Sequence, residues 1–141
     1  RQRQMCIRDS NYRCGTGHSV SFVGNVHEGP HALNGRNTTL MRPGMIVTDE
    51  PGVYETDLVG IRIENELVCV HKADNQYGTF LGFEPIMFVP IATSPIVPGV
   101  LTKDELDWLN NYHRQVFEKL APRLNDEERE WLAKKCAAIG C

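Results

Sequence analysis

Apolar and polar positions alternate most cleanly over "GIRIENELVCVHKA", residues 60 to 73. Ile61, Ile63, Leu67 and Cys69 fall on one face and Arg62, Glu64 and Glu66 on the other, the period of a strand with one face buried. A shorter alternation in "SVSFVGNV", bracketed by glycines, predicts a second strand. "MIVTDE" reads as a third, stopped by Pro51-Gly52, and "NGRNTTLMRPG" before it as a loop. "TFLGFEPIMFVPI" continues the extended chain, with Pro85 and Pro90 pushing it towards a sheet edge. After the Pro-rich connector "TSPIVPG" the period changes to that of a helix. Thr102 with Glu105 forms a capping box, and Leu106, Leu109, His113, Val116, Phe117 and Leu120 line one face up to Pro122. Asn125 with Glu128 repeats the signature, and Trp131, Leu132 and Cys136 give the second helix its apolar side. Two helices alone do not cover Trp108, Tyr112, Phe117 and Trp131, so packing on a sheet or across a homodimer is expected.

This order of elements predicts an α/β (α+β) fold in three stretches. Residues 1–10, "RQRQMCIRDS", show neither period and read as a foreign or disordered leader, the alternative being an exposed segment of a longer protein. Residues 11–84 carry the strands, and 85–141 form a helical extension. The length of 141 residues suits about one domain. With 15 basic and 18 acidic side chains the net charge is −3, which argues against a nucleic-acid or anionic-membrane partner. No apolar run approaches the roughly 18 residues of a membrane span. Five cysteines without a CxxC pair point to a reduced, cytoplasmic setting.

Charge becomes informative at two carboxylates. Glu50 ends an apolar strand at a tight turn and Glu64 sits within the alternating strand, although strands are poor in carboxylates and burying one without a partner is costly. For Glu64 alone, a solvated strand face is the simpler reading. His18, in "GTGH", has glycines beside it that allow close backbone approach, and His27 follows in "NVHEGP". Two histidines on Gly-bounded segments with two strand carboxylates suit a metal or acid–base constellation. Mostly oxygen ligands with one imidazole favour a hard divalent ion, Mn²⁺ especially. Other chemistries fare worse. "CGTGHSV" has Val20 where a phosphate loop needs its third glycine, and no Walker lysine follows. There is no GxSxG. Nothing orients Cys14 as a nucleophile with His18 as its base.

"GTGHSVSFVGNVHEGP", "MIVTDEPGVYE" and "GIRIENELV", in that order, resemble the C-terminal half of the pita-bread (creatinase/aminopeptidase-like) metallopeptidases. Within them the chain looks most like the Xaa-Pro aminopeptidase (aminopeptidase P) branch, whose C-terminal extension the helical tail also resembles. The resemblance runs from about Asn11 to Ile139 and implies hydrolysis of an N-terminal Xaa-Pro bond. It implies two divalent metals, Mn²⁺ first with Co²⁺ or Zn²⁺ as alternatives, held by two aspartates, one histidine and two glutamates. His18 matches the histidine ligand, Glu50 the first glutamate and the base, and Glu64 the bridging glutamate. His27 matches a histidine that contacts substrate and steadies the tetrahedral intermediate, and Arg62 would support Glu64. Peptides with proline in second position would be the substrates. Two departures stand out: Cys14 replaces a histidine lining the substrate pocket, and neither Asp49 nor Asp57 matches an aspartate ligand, which the family carries further upstream. A prolidase-like dipeptidase, a methionine aminopeptidase and a metal-free module that binds peptides or proteins are the rival readings.

Overall fold

The structure, a computed structural model, describes residues 14–97 and 99–140; the leader expectation for 1–10 lies outside them. The chain divides into two compact units, Arg1–Ile86 and Met87–Cys141. The first is built of strands: β1 (Ile46–Asp49), β2 (Gly52–Glu55), β3 (Val59–Arg62), β4 (Asn65–Asn75) and β5 (Gly78–Pro85). The second holds helices α1 (Lys103–Leu120) and α2 (Asp126–Lys135), joined by a 3₁₀ turn at Ala121–Arg123. The predicted α+β composition holds. Among the described residues no helix is long and apolar enough to cross a membrane.

The strands form two separate antiparallel sheets, β1-β4-β5 and β2-β3. The long alternating stretch is therefore not one strand. It breaks at Ile63–Glu64, where the chain leaves β3 in one sheet and enters β4 in the other. Ile61 and Ile63 are 50% and 51% exposed while Cys69, on the same predicted face, is 1% exposed. Alternation specifies which residues share a face but not which partner that face meets, so the apolar face expected from it is core only along β4. "SVSFVGNV" is also not a strand: isolated bridges pair His18 with Ala32 and Ser19 with Val47, and Phe22, Val23 and Val26 are exposed. β5 lies at the sheet edge, and its regular pairing stops at Pro85, which has no N–H to continue it.

In the helical unit both capping boxes form. Thr102 and Glu105 satisfy the first donors of α1, and Asn125 and Glu128 those of α2. Leu106, Leu109, Tyr112, His113 and Val116 are buried along α1, and Leu132 is the buried residue of α2. Tyr112, Val116 and Leu132 form a cluster against which Phe88, Ile91, Phe117, Leu120, Leu124 and Cys136 pack. Trp131 is the correction here: it faces solvent, covered in part by the Lys135 ammonium 5.8 Å above its ring. Trp108 is likewise exposed and stacks on Tyr112 with ring centroids 5.8 Å apart.

Candidate metal centre

The site begins where a glycine lets two segments touch. A Cβ on Gly17 would lie 1.8 Å from the Thr48 carbonyl oxygen, so only glycine allows the 16–19 segment to lie this closely on β1. The two run as neighbours through two backbone bonds, and a third ties the 16–19 segment to the following loop. Thr48 N–H donates to the His18 carbonyl at 2.9 Å, Glu50 N–H to the Thr16 carbonyl at 2.6 Å, and Leu33 N–H to the Gly17 carbonyl at 2.9 Å. His31 Nε2–H adds a bond of 2.7 Å to the Ile46 carbonyl, tying the following loop to the same strand.

That contact places His18 Nε2 3.1 Å from Glu50 Oε1, with both side chains about four-fifths buried (19% and 18% exposed). The tautomer follows from the other ring nitrogen. His18 Nδ1 lies 3.0 Å from the Ser19 carbonyl oxygen, which can only accept, so Nδ1 carries the proton. A neutral His18 then presents a bare Nε2 lone pair to a carboxylate. Two acceptors at that distance need a cation between them, either a second ring proton or a metal ion. The loop from Ser19 turns back through Glu28 N–H donating to the Ser19 carbonyl at 3.2 Å, and His27 comes to rest over His18 with ring centroids 3.9 Å apart. His27 itself is exposed.

Glu64 sits on the other side of a cation. Its Oε2 lies 3.2 Å from Arg62 Nε. The Tyr54 hydroxyl, hydrogen-bonded to the guanidinium, together with Glu64 and Glu50, holds the Arg62 pKa above its ordinary value. Tyr54 reaches it by lying across glycines: a Cβ on Gly52 would meet its ring at 2.6 Å and one on Gly60 at 3.0 Å. The structure thus brings His18, Glu50 and His27 together and pairs Glu64 with Arg62, while Cys14 is a half-buried free thiol. Among the described residues, no three of His, Cys, Asp or Glu converge as a metal-holding group. Burial raises the carboxyl pKa of Asp49, next to Glu50. Sequence reasoning missed Tyr54 and Thr48, whose hydroxyl donates to Glu50 Oε1 at 3.0 Å. The tyrosine could have been found from its flanking glycines; nothing distinguishes Thr48 from any other strand threonine.

The residues present fit a divalent ion in part. An imidazole nitrogen and a carboxylate oxygen face each other, both side chains largely buried, an arrangement that suits a borderline or hard divalent cation. Two family models match this chain: metallopeptidase family M24 over residues 3–71, and the C-terminal region of peptidase_M24 over residues 79–139. The chain is 46% identical over 129 residues to aminopeptidase P2 of Arabidopsis thaliana, covering 86% of this chain and 18% of that protein. To aminopeptidase P1 of Lotus japonicus it is 43% identical over 137 residues, 92% of this chain and 20% of the relative. It also superposes on the crystal structure of X-prolyl aminopeptidase from Caenorhabditis elegans, described as a cytosolic enzyme with a di-nuclear active site. There the TM-score is 0.75 at 39% identity, covering 89% of this chain and 21% of that one. The chain spans about a fifth of the length of these relatives.

Proposed function

The chain belongs to metallopeptidase family M24, and from that premise we propose that it is the C-terminal part of an Xaa-Pro aminopeptidase of the aminopeptidase P type. In this reading His18, Glu50 and Glu64 are ligands of two divalent ions and the remaining ligands come from elsewhere in the full-length enzyme. The observation that carries it is the His18–Glu50 apposition: ring Nε2 lies 3.1 Å from a carboxylate oxygen while Nδ1 is engaged by the Ser19 carbonyl. Oxygen donors with one imidazole make Mn²⁺ the first assignment, before Co²⁺ or Zn²⁺. Bound there, a divalent pair would supply Lewis acidity, polarising the scissile carbonyl and letting water act as a nucleophile near neutral pH.

The chain's own residues do the rest. Glu50 accepts the proton of the attacking water, held for that task by Thr48 Oγ1. His27, its ring tilted against that of His18 and exposed, donates a hydrogen bond to the oxyanion that develops as the peptide bond is attacked. Arg62, steadied by Tyr54, orients Glu64. The substrates are peptides with proline in the second position, and a cytoplasmic location accords with three free thiols among the described cysteines. The exposed Trp108 and Trp131 of the helical unit suit a homodimer contact.

Calorimetric titration of the full-length enzyme with Mn²⁺, beside an Xaa-Pro peptide assay, tests this. Two sites and metal-dependent release of the first residue are expected. A protein that binds no divalent ion while still binding peptide would instead be a metal-free binding module.

A further inference from the structure

Thr48 lies between both candidate ligands, and its hydroxyl bonds to each of their residues. The residue is 2% exposed on β1, where a hydroxyl needs partners. It has them on both sides: Oγ1 accepts the His18 backbone N–H at 3.0 Å and donates to Glu50 Oε1 at 3.0 Å. A hydroxyl carries a single proton. With the His18 N–H directed at its lone pairs, that proton is left for Glu50. The bond to a carboxylate is charge-assisted, and it engages the same oxygen that faces His18 Nε2.

We infer that Thr48 is the positioning residue of the centre: through one buried hydroxyl it fixes the Glu50 carboxylate and the His18 backbone relative to each other. The inference rests on the metal-centre reading above. Without the hydroxyl, Glu50 keeps its place on the chain and loses the bond that selects its rotamer, while His18 loses a side-chain anchor and keeps its backbone pairing to β1. Thr48 acts through Glu50, so it should affect metal affinity and kcat rather than the binding of peptide.

The test uses the full-length enzyme with Thr48→Val, which keeps the shape, and Thr48→Ser, which keeps the hydroxyl. Mn²⁺ affinity is read by calorimetry, kcat and KM with an Xaa-Pro peptide, and thermal melting without metal. The Val variant should bind Mn²⁺ about 10–100-fold more weakly and lose kcat to a similar degree with KM unchanged, as expected when a ligand's supporting bond is removed. The Ser variant should recover both. If the Val protein does not fold, Thr48→Cys, a weak donor of near-serine size, takes its place in the comparison with Ser. Wild-type Mn²⁺ affinity in the hydroxyl-free variant, or a Ser variant as impaired as Val, would overturn the role of Thr48 and leave the metal-centre reading standing. Wild-type enzyme that binds no Mn²⁺ would overturn that reading, and this inference with it.

Discussion

The strand unit holds the candidate site and the helical unit holds most of the buried apolar packing. Leu106, Leu109, Tyr112, Val116, Ala121 and Leu132 are buried in the helical unit, whereas Val47 and Cys69 are the buried apolar residues described in the strand unit. The strand unit instead leaves Val53, Tyr54, Val59, Ile61, Ile63, Phe80, Leu81 and Phe83 substantially exposed. It is held by backbone ladders and by polar bonds around His18 and Glu50 rather than by an apolar cluster. The contrast teaches that a substitution should read out in different currencies in the two units: in rate and metal affinity in one, in stability in the other.

The sharpest way to break that division is Glu50→Gln in the full-length enzyme. Removing a general base commonly lowers turnover about 10²–10⁴-fold, whereas Gln keeps the side chain's size and an oxygen that can accept from Thr48 Oγ1, so the melting temperature of the metal-free protein should move far less. Stopped assays with an Xaa-Pro peptide and calorimetric melting measure both. Near-wild-type turnover would sink the assignment of Glu50.

Leu132→Ala is the mirror image. Leu132 is 2% exposed and closes the cluster of Tyr112 and Val116. Truncating such a side chain costs about 2–5 kcal/mol, through lost transfer energy plus the cavity left behind. Chemical denaturation should show that loss with Mn²⁺ affinity unchanged. A variant of unaltered stability would mean that the cluster is not what holds the helical unit.

Gly17→Ala sharpens the comparison from within the strand unit. The added methyl would need the space of the Thr48 carbonyl oxygen, 1.8 Å away, and that neighbour is backbone. The two segments must part, and misplacement of reacting groups by about 1 Å can cost about 10²-fold in rate. We expect such a loss in kcat, with weaker Mn²⁺ binding. Unchanged kinetics would mean that His18 and Glu50 do not depend on this contact.

The same division governs what the sequence made legible. Helix ends were readable because caps are local: Thr102 with Glu105 and Asn125 with Glu128 each satisfy donors three residues away. The candidate site residues were readable as types, through His18, His27, Glu50 and Glu64. Their arrangement was not, because it depends on a contact between residues 17 and 48 that no periodicity encodes. The break at Ile63–Glu64 was hidden for the same reason: alternation runs on unbroken while the strand partner changes from β2 to β1. Tyr112 lies outside the face that the sequence predicts for α1 and yet is buried along it, its hydroxyl donating to the Val89 carbonyl at 3.0 Å.

The smallest effect concerns His113, a titratable group inside the packing unit. It is 0% exposed, and its Nε2 accepts the Ile91 backbone N–H at 3.1 Å. That nitrogen must therefore be bare, which leaves the proton on Nδ1, buried and without a hydrogen-bond partner. Burial pushes the imidazole pKa below its ordinary value of 6.5. The sign follows from linkage: between the lowered folded value and 6.5 the unfolded chain binds more protons, so acidification favours unfolding. Stability should be fully present above pH 6.5 and decline as pH falls from there towards the folded pKa. His113→Gln keeps an acceptor within reach of Ile91 and removes the titration. Denaturation of both proteins at pH 7.5 and at about pH 5.5, still above the ordinary carboxylate range, separates this group from the acidic residues. A wild-type protein equally stable at both pH values, or a Gln variant that declines just as much, would show that the buried imidazole carries none of the linkage.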